Sequence, residues 1–333
     1  MKWILAAPYL QKLEQGVWTT MMNLDPSLNI TVSPSHYIHN RSRSKAGIND
    51  WKDYWEHSTN LWDKSQQTNA GIITAFPQLP VCAGLRKRLS RKSTPIVAST
   101  FNLGALHGNI KRILANQALR SINKFIVHSS EEVNHYSHYL NLPSSKFEFV
   151  PLHKPMMPAT AHENLEHPFL LSMGSANRDY KTLFKAISIT GHPLIVVAPP
   201  HALSGLNIPP SVTIKSNLSL VECRALAQQA CINIIPISNE HTASGQVTVI
   251  EAMMYGKAVI ATDTIGTRDY IQHEKTGFLT KSHSVTELSQ SIDALWHDPT
   301  LRKNLSTNAC HYVKTELSHQ KTASRLLRIL NNI

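Results

Sequence analysis

The 333-residue chain has no apolar run approaching 18 residues, so no segment is expected to cross a membrane as a helix. Its apolar opening, Met1 to Ala7, is stopped by Pro8 and by Gln11-Lys12. That is too short for a signal-peptide core and reads as a first strand. Cysteine is scarce: Cys82, Cys223, Cys231 and Cys310 stand far apart with no Cys-x-x-Cys spacing. Neither a zinc site nor a disulfide framework is indicated, and a reducing cytoplasm is the expected compartment. Basic clusters lack interleaved aromatics and no nucleic-acid-binding module is recognisable, so nucleic acid is not an expected partner. Acidic residues are the other shortage, 22 against 33 Lys/Arg, which leaves a net charge of +11.

The excess is uneven. Residues 1–150 hold 17 Lys/Arg against 9 Asp/Glu, an excess of 8, and residues 151–333 hold 16 against 13, an excess of 3. Arg86-Lys87-Arg88-Leu89-Ser90-Arg91-Lys92 is the densest cluster, with a lesser one over Arg41, Arg43 and Lys45. Such clusters suit an anionic lipid surface or an anionic substrate, or form a solvated helix face.

With 42% hydrophobic and 17% charged residues, the chain has the make-up of a globular protein long enough for two cores. Residues 2–7, 71–76, 95–99, 124–128 and 147–150 read as strands, and 48–63, 81–91, 109–121 and a stretch opened by Ser129-Ser130-Glu131-Glu132 as helices. From residue 11 to about residue 60 the signal is poor, the 48–63 helix resting on Trp51, Tyr54, Trp55 and Leu61 approximating one face. A proline-bearing, aperiodic stretch over 153–168 reads as a linker. A second series then begins, with strands at 169–173, 194–198, 212–215, 231–235 and 258–262. Helices are expected at 179–189, 219–229, 285–297 and 299–313, and a basic one near 316–330. Two such series predict two doubly wound α/β domains, 1–152 and 169–315, with ligands beyond the C-terminal ends of the strands.

The most informative stretch runs from residue 240 to 279. A small-residue loop, Ala243-Ser244-Gly245-Gln246, feeds a segment carrying one acid, Glu251. A loop whose amides open a helix attracts anions, because first-turn N–H groups lack partners and the helix dipole adds positive charge. An acid further along suits hydroxyl groups, such as those of a ribose. The β-branched run Val247-Thr248-Val249-Ile250 by itself favours a strand.

Taken together, Gly174-Ser-Ala-Asn-Arg178-Asp179-Tyr180, the stretch from Ser244 to Asp263 and Gly266-Thr-Arg268-Asp through Leu279 resemble the donor domain of glycosyltransferase family 4. The resemblance covers 169–330 well and 1–150 weakly. It implies a GT-B fold: two Rossmann-like domains facing across a cleft, the C-terminal one binding the nucleotide-sugar, with a last helix over 316–333 packing back on the first domain. It also makes the 246–254 segment helical. Glu251 matches the second acid of the family's E-x7-E motif and would hold ribose hydroxyls. Ser244, Gly245, Gln246 and Val247, with Gly174 and Ser175, would meet the donor phosphates and sugar. Arg178 would face the diphosphate, and Ser216 and Asn217 would lie against the base. Ala243 stands where the motif has its first acid, Glu240 is out of register with it, and no glycine-rich loop follows the first strand.

The resemblance implies a retaining glycosyltransferase of hexosyl type, without cofactor or metal ion; Asp-x-Asp is lacking. It would move a sugar from a UDP- or GDP-linked donor to a hydroxyl of a glycan or lipid-linked acceptor, in polysaccharide or glycoconjugate synthesis. The enzyme is expected in the cytoplasm, peripheral at the inner membrane face. Arg178, Glu251 and His107 are the expected catalytic residues, and Asn102 and His128 are placed on the acceptor side, with Phe101 beside them. Two alternatives stay open: a GT-B sugar-nucleotide epimerase, and a non-catalytic nucleotide-sugar binder.

Overall fold

A computed structural model describes residues 1–8, 10–37, 47–103 and 108–333. The chain divides into two compact units, Met1–Pro151 with His319–Ile333, and Leu152–Ser318. The first alternates strands and helices from its start: β1 (Lys2–Ala6), α1 (Val17–Leu24), β2 (Asn29–Ser33), α2 (Ile48–Thr68), β3 (Gly71–Ala75), α3 (Gln78–Ser90), β4 (Ile96–Ser99), α4 (Asn109–Leu119), β5 (Lys124–Val127), α5 (Ser130–Leu140) and β6 (Phe147–Phe149). Its six parallel strands lie in the order β2-β1-β3-β4-β5-β6. β1, β3 and β4 are buried on both faces, which is why they read as unbroken apolar runs. α2 runs to Thr68 before Asn69 ends it in the left-handed conformation, and α3 begins early because Pro80 falls in its first turn, where a missing N–H is harmless. α1 and β2 occupy the stretch that gave little sequence signal.

The second unit holds β7 (Leu170–Met173), α6 (Tyr180–Thr190), β8 (Leu194–Val197), β9 (Val212–Lys215), α7 (Leu220–Gln229), β10 (Ile232–Ile235), α8 (Gln246–Met254), β11 (Ala258–Thr262), β12 (Phe278–Thr280), α9 (Val285–His297) and α10 (Pro299–Glu316). These six strands are also parallel, ordered β12-β11-β10-β7-β8-β9. α8 is a helix despite its β-branched run. Val249, Ile250, Ala252, Met253 and Met254 are buried in one cluster with β10, β11 and α10, so tertiary packing overrides local propensity.

Residues 152–168 form no helix or strand, yet they are laced onto the second unit. Backbone amides of Thr160 and Ala161 donate to Gln228 Oε1, Asn164 N donates to Gln229 O, and Glu163 pairs with Lys257 (3.0 Å). The last helix, α11 (His319–Asn331), belongs to the first unit: Ala323, Leu326, Ile329 and Leu330 share a buried cluster with Val17 and Met21 of α1. No helix among the described residues is long and apolar enough to cross a membrane.

Candidate functional site

In the second sheet the strand order reverses between β7 and β10. At such a reversal the connections leave on opposite faces, and a crevice opens beyond the strands' C-terminal ends. Gly174 leaves β7 there with φ 121°, a conformation that side-chain-bearing residues rarely adopt. A Cβ on it would lie 2.8 Å from Arg178 Nη2, so the glycine also makes room for the guanidinium. The backbone then crosses the end of β10: Arg178 forms a bridge with Ile237, Ser238 N donates to Asn177 O and Asp179 N to Pro236 O.

Arg178 is partly buried and held in three directions. Its Nε donates to Met173 O (3.0 Å), Nη1 to Ala176 O (3.0 Å) and Nη2 to Thr248 Oγ1 (3.2 Å). A guanidinium has five donors, so two N–H vectors remain. Burial pulls its pKa down from the usual arginine value. Asp179 is not its counter-ion: that carboxylate caps α6 through Thr182 N and pairs with His283 Nδ1 (2.7 Å). No carboxylate reaches Arg178 among the described residues. A cation withdrawn from water with only neutral partners is costly, and an anion relieves that cost.

The amides that would meet such an anion start close by. Gly245, φ 88°, caps α8, and Thr248 in the first turn is the residue that Arg178 touches. A Cβ on Gly245 would come within 3.1 Å of Ile235 and Ile237. The Ser244 Oγ is buried and makes no hydrogen bond, leaving an orphan hydroxyl in the loop. Val247 is 47% exposed at the helix start, and Gln246 is buried. The loop is pressed into shape by its neighbour, since a Cβ on Gly266 would lie 2.4 Å from both the N and O of Ser244. Gly174, Arg178, Ser244, Gly245, Gln246 and Val247 thus come together, with Ser175 exposed at the edge. Ala243 is buried where an acid was sought, and Glu240 is exposed.

Glu251 lies one turn beyond Thr248 on α8. Its Oε1 accepts from Lys154 Nζ and has Arg224 Nη2 of α7 at 3.8 Å. Both carboxylate and ammonium are largely buried, with 13% and 22% side-chain exposure. Oε2 remains to accept from another donor. Ser216 and Asn217 follow edge strand β9 at the same end of the sheet, Asn217 in the left-handed conformation (φ 57°). The arrangement can seat an anion between Arg178 and the α8 amides and can accept hydroxyl donors at Glu251.

Residues 202–311 match the family described as glycosyl transferases group 1. That match lies wholly within the second unit. No curated protein sequence matches the chain. Among solved structures, a glycosyltransferase from Rickettsia africae is 15% identical with a TM-score of 0.69, covering 99% of this chain and 98% of its own. Sucrose-phosphate synthase from Thermosynechococcus elongatus is 13% identical with a TM-score of 0.72, covering 100% and 99%. Anabaena HepE, solved in complex with UDP, is 13% identical with a TM-score of 0.71, covering 100% of both chains. Over essentially its whole length the chain therefore has the GT-B fold, as the sequence resemblance implied.

In the first GT-B unit the expected site residues have different surroundings. His107, Arg41, Arg43 and Lys45 lie outside the described residues. Phe101 belongs to the core, packed edge-on against Phe125 and Tyr136. His128 Nδ1 donates to Val150 O (2.7 Å), which holds the chain after β5 to the end of β6, and burial keeps its pKa below the usual histidine value. Asn102 is half-buried two residues beyond Thr100, a β-branched residue at φ 48° whose Oγ1 is buried without a hydrogen bond. Strain of that kind concentrates at functional sites. In the second unit Arg268 pairs with Asp263 (2.8 Å).

The densest basic cluster largely fastens helices together. Arg86 lies 4.0 Å from the Trp55 ring and bonds Ser58 and Thr59, Lys87 bonds Asn123, and Arg88 bonds Gln117. Burial, with Lys146 nearby, pulls the Lys87 pKa to about 8. Lys154, Arg224, Thr248 and Gly266 were not singled out from sequence. Lys154 falls in the aperiodic stretch, and Gly266 sits in a motif whose Arg268 is more conspicuous.

Proposed function

We propose that the chain is a retaining glycosyltransferase that moves a hexosyl group from a UDP-linked sugar to an acceptor hydroxyl of a glycan or lipid-linked saccharide. The observation that carries this reading is Arg178: a partly buried cation without a carboxylate partner among the described residues, bonded to the first turn of α8 at the strand-order reversal. The diphosphate takes the place between them, and its growing charge as the sugar leaves is met by preorganised donors of the protein, without a divalent ion. Glu251 Oε2 accepts from a ribose hydroxyl, Ser216 and Asn217 line the base, and Gln246 and Ser244 face the sugar. Uridine is proposed first because HepE was solved with UDP. Asn102, two residues beyond the strained Thr100, is assigned to the acceptor side.

The test is a thermal-shift screen of UDP, UDP-hexoses, GDP and GDP-hexoses. A UDP-sugar at 100 times its dissociation constant adds about 2.7 kcal/mol of stability, which reads as a clear rise in Tm. The reading fails if no nucleotide raises Tm. A second reading, donor binding without transfer, is favoured by Ala243; a raised Tm with no transfer or hydrolysis of any UDP-hexose would select it.

A lipid-linked acceptor would bring the enzyme to the cytoplasmic face of a membrane. α3 and α4 pack on each other and leave Leu89 (77%), Ile113 (56%) and Leu114 (63%) exposed, with Arg88, Arg91, Lys92 and Arg112 also exposed. Apolar side chains among cations suit an anionic bilayer surface. Co-sedimentation with vesicles containing phosphatidylglycerol, but not with neutral ones, is expected, and Leu89→Asp/Leu114→Asp should reduce it at least fivefold. Equal sedimentation with both vesicle types would remove the membrane from the reading.

A further inference from the structure

Away from the donor site, α9 and the turn after α6 bring three metal-ligating side chains together. Asp293 and His297 are four residues apart on α9 and therefore share a face of the helix. His192 follows Gly191, which ends α6 in the left-handed conformation (φ 70°), and precedes β8. Its ring lies flat on Trp296, with centroids 4.3 Å apart and planes inclined by 20°, and its Nε2 meets Asp293 Oδ1 at 2.7 Å. The His297 ring stands edge-on, 5.5 Å from that of His192. One ligand atom from each of the three lies within 4.8 Å of the others, and no other such trio occurs among the described residues.

We propose that His192, Asp293 and His297 form a binding site for a late first-row divalent ion, Zn²⁺ foremost. Two imidazoles and a carboxylate are a donor set for such an ion, with water completing a tetrahedron. Bonds of about 2.0–2.2 Å place tetrahedral ligand atoms about 3.3 Å apart. His192 and Asp293 need only part slightly, and His297, exposed at the end of α9, closes the remaining distance by turning its side chain. The stacked Trp296 fixes the plane of the least mobile ligand in advance. Metal binding at Nε2 would replace the hydrogen bond between His192 and Asp293, the imidazole keeping its one N–H at Nδ1. The site precedes β8, at the opposite end of the sheet from the loops around Arg178, and its effect is to fasten α9 to the turn that ends α6. It takes no part in sugar transfer.

The experiment uses the full chain, free of any polyhistidine tag and stripped with EDTA, titrated with Zn²⁺ by calorimetry at pH 7.5. One equivalent is expected to bind. His297→Ala and Asp293→Asn, both at positions with solvent access, should each weaken binding at least tenfold, while His201→Ala in an exposed turn should not. Co²⁺ should give the visible absorption of a low-coordinate site in the parent chain and lose it in both variants. No stoichiometric uptake, or uptake that either variant leaves as tight as in the parent chain, overturns the proposal.

Discussion

Glu251→Gln is expected to weaken UDP-sugar binding by about 10- to 100-fold, measured by calorimetry. A hydrogen bond to a charged group is worth about 1.5–3 kcal/mol, and each 1.4 kcal/mol is a factor of ten in affinity. The amide keeps the shape of the side chain but accepts from a hydroxyl without a full charge. The substitution also strips Lys154 of its partner, and an unpaired, largely buried ammonium destabilises the fold. The double variant Lys154→Met/Glu251→Gln separates the two effects: it should recover Tm and not donor affinity. A single variant that keeps its Tm and binds donor as well as the parent chain would remove Glu251 from the site.

Arg178→Met should lower kcat by about 100- to 1,000-fold, the scale for losing one preorganised donor that faces charge building up in a transition state. Methionine fills much of the volume without leaving a cation buried, so Tm should hold or rise. Arg178→Lys should recover only part of the loss, because an ammonium lacks the planar fork that holds Met173 O, Ala176 O and Thr248 together. The discriminating measurement is the split between constants: Glu251→Gln acts mainly on donor affinity, Arg178→Met mainly on kcat. A fall in Tm matching the fall in activity would mark Arg178 as a purely structural residue.

The residues that organise the site were legible in unequal degree. Alternating apolar strands and capped helices disclosed both doubly wound series, because buried parallel strands leave continuous apolar runs. Gly174, Arg178 and the loop before α8 were visible through their family pattern. α1 and β2 were not. α1 mixes β-branched residues with only one half of a capping pattern, and β2 alternates over just five residues. α8 shows the limit of propensity, since its helical state follows from where Val249, Ile250 and Met253 are buried. Lys154 could not be found from sequence at all, because its role depends on where an aperiodic strap lands 97 residues away from Glu251. Conversely, His128 looked like a site residue by its place after a strand, and its ring spends a hydrogen bond on Val150 O.

Gly266 has a consequence for how this site can change. It contacts no proposed ligand, yet no side chain fits there, because a Cβ would strike the backbone N and O of Ser244 at 2.4 Å, and backbone has no rotamer to yield. Val247 and Ser175, which face outward at the site's edge, have open space around them. Room for variation therefore runs opposite to distance from the ligand. New donor preferences can arise at the exposed rim, while the turn behind the loop acts as the mould that keeps every such variant a phosphate binder.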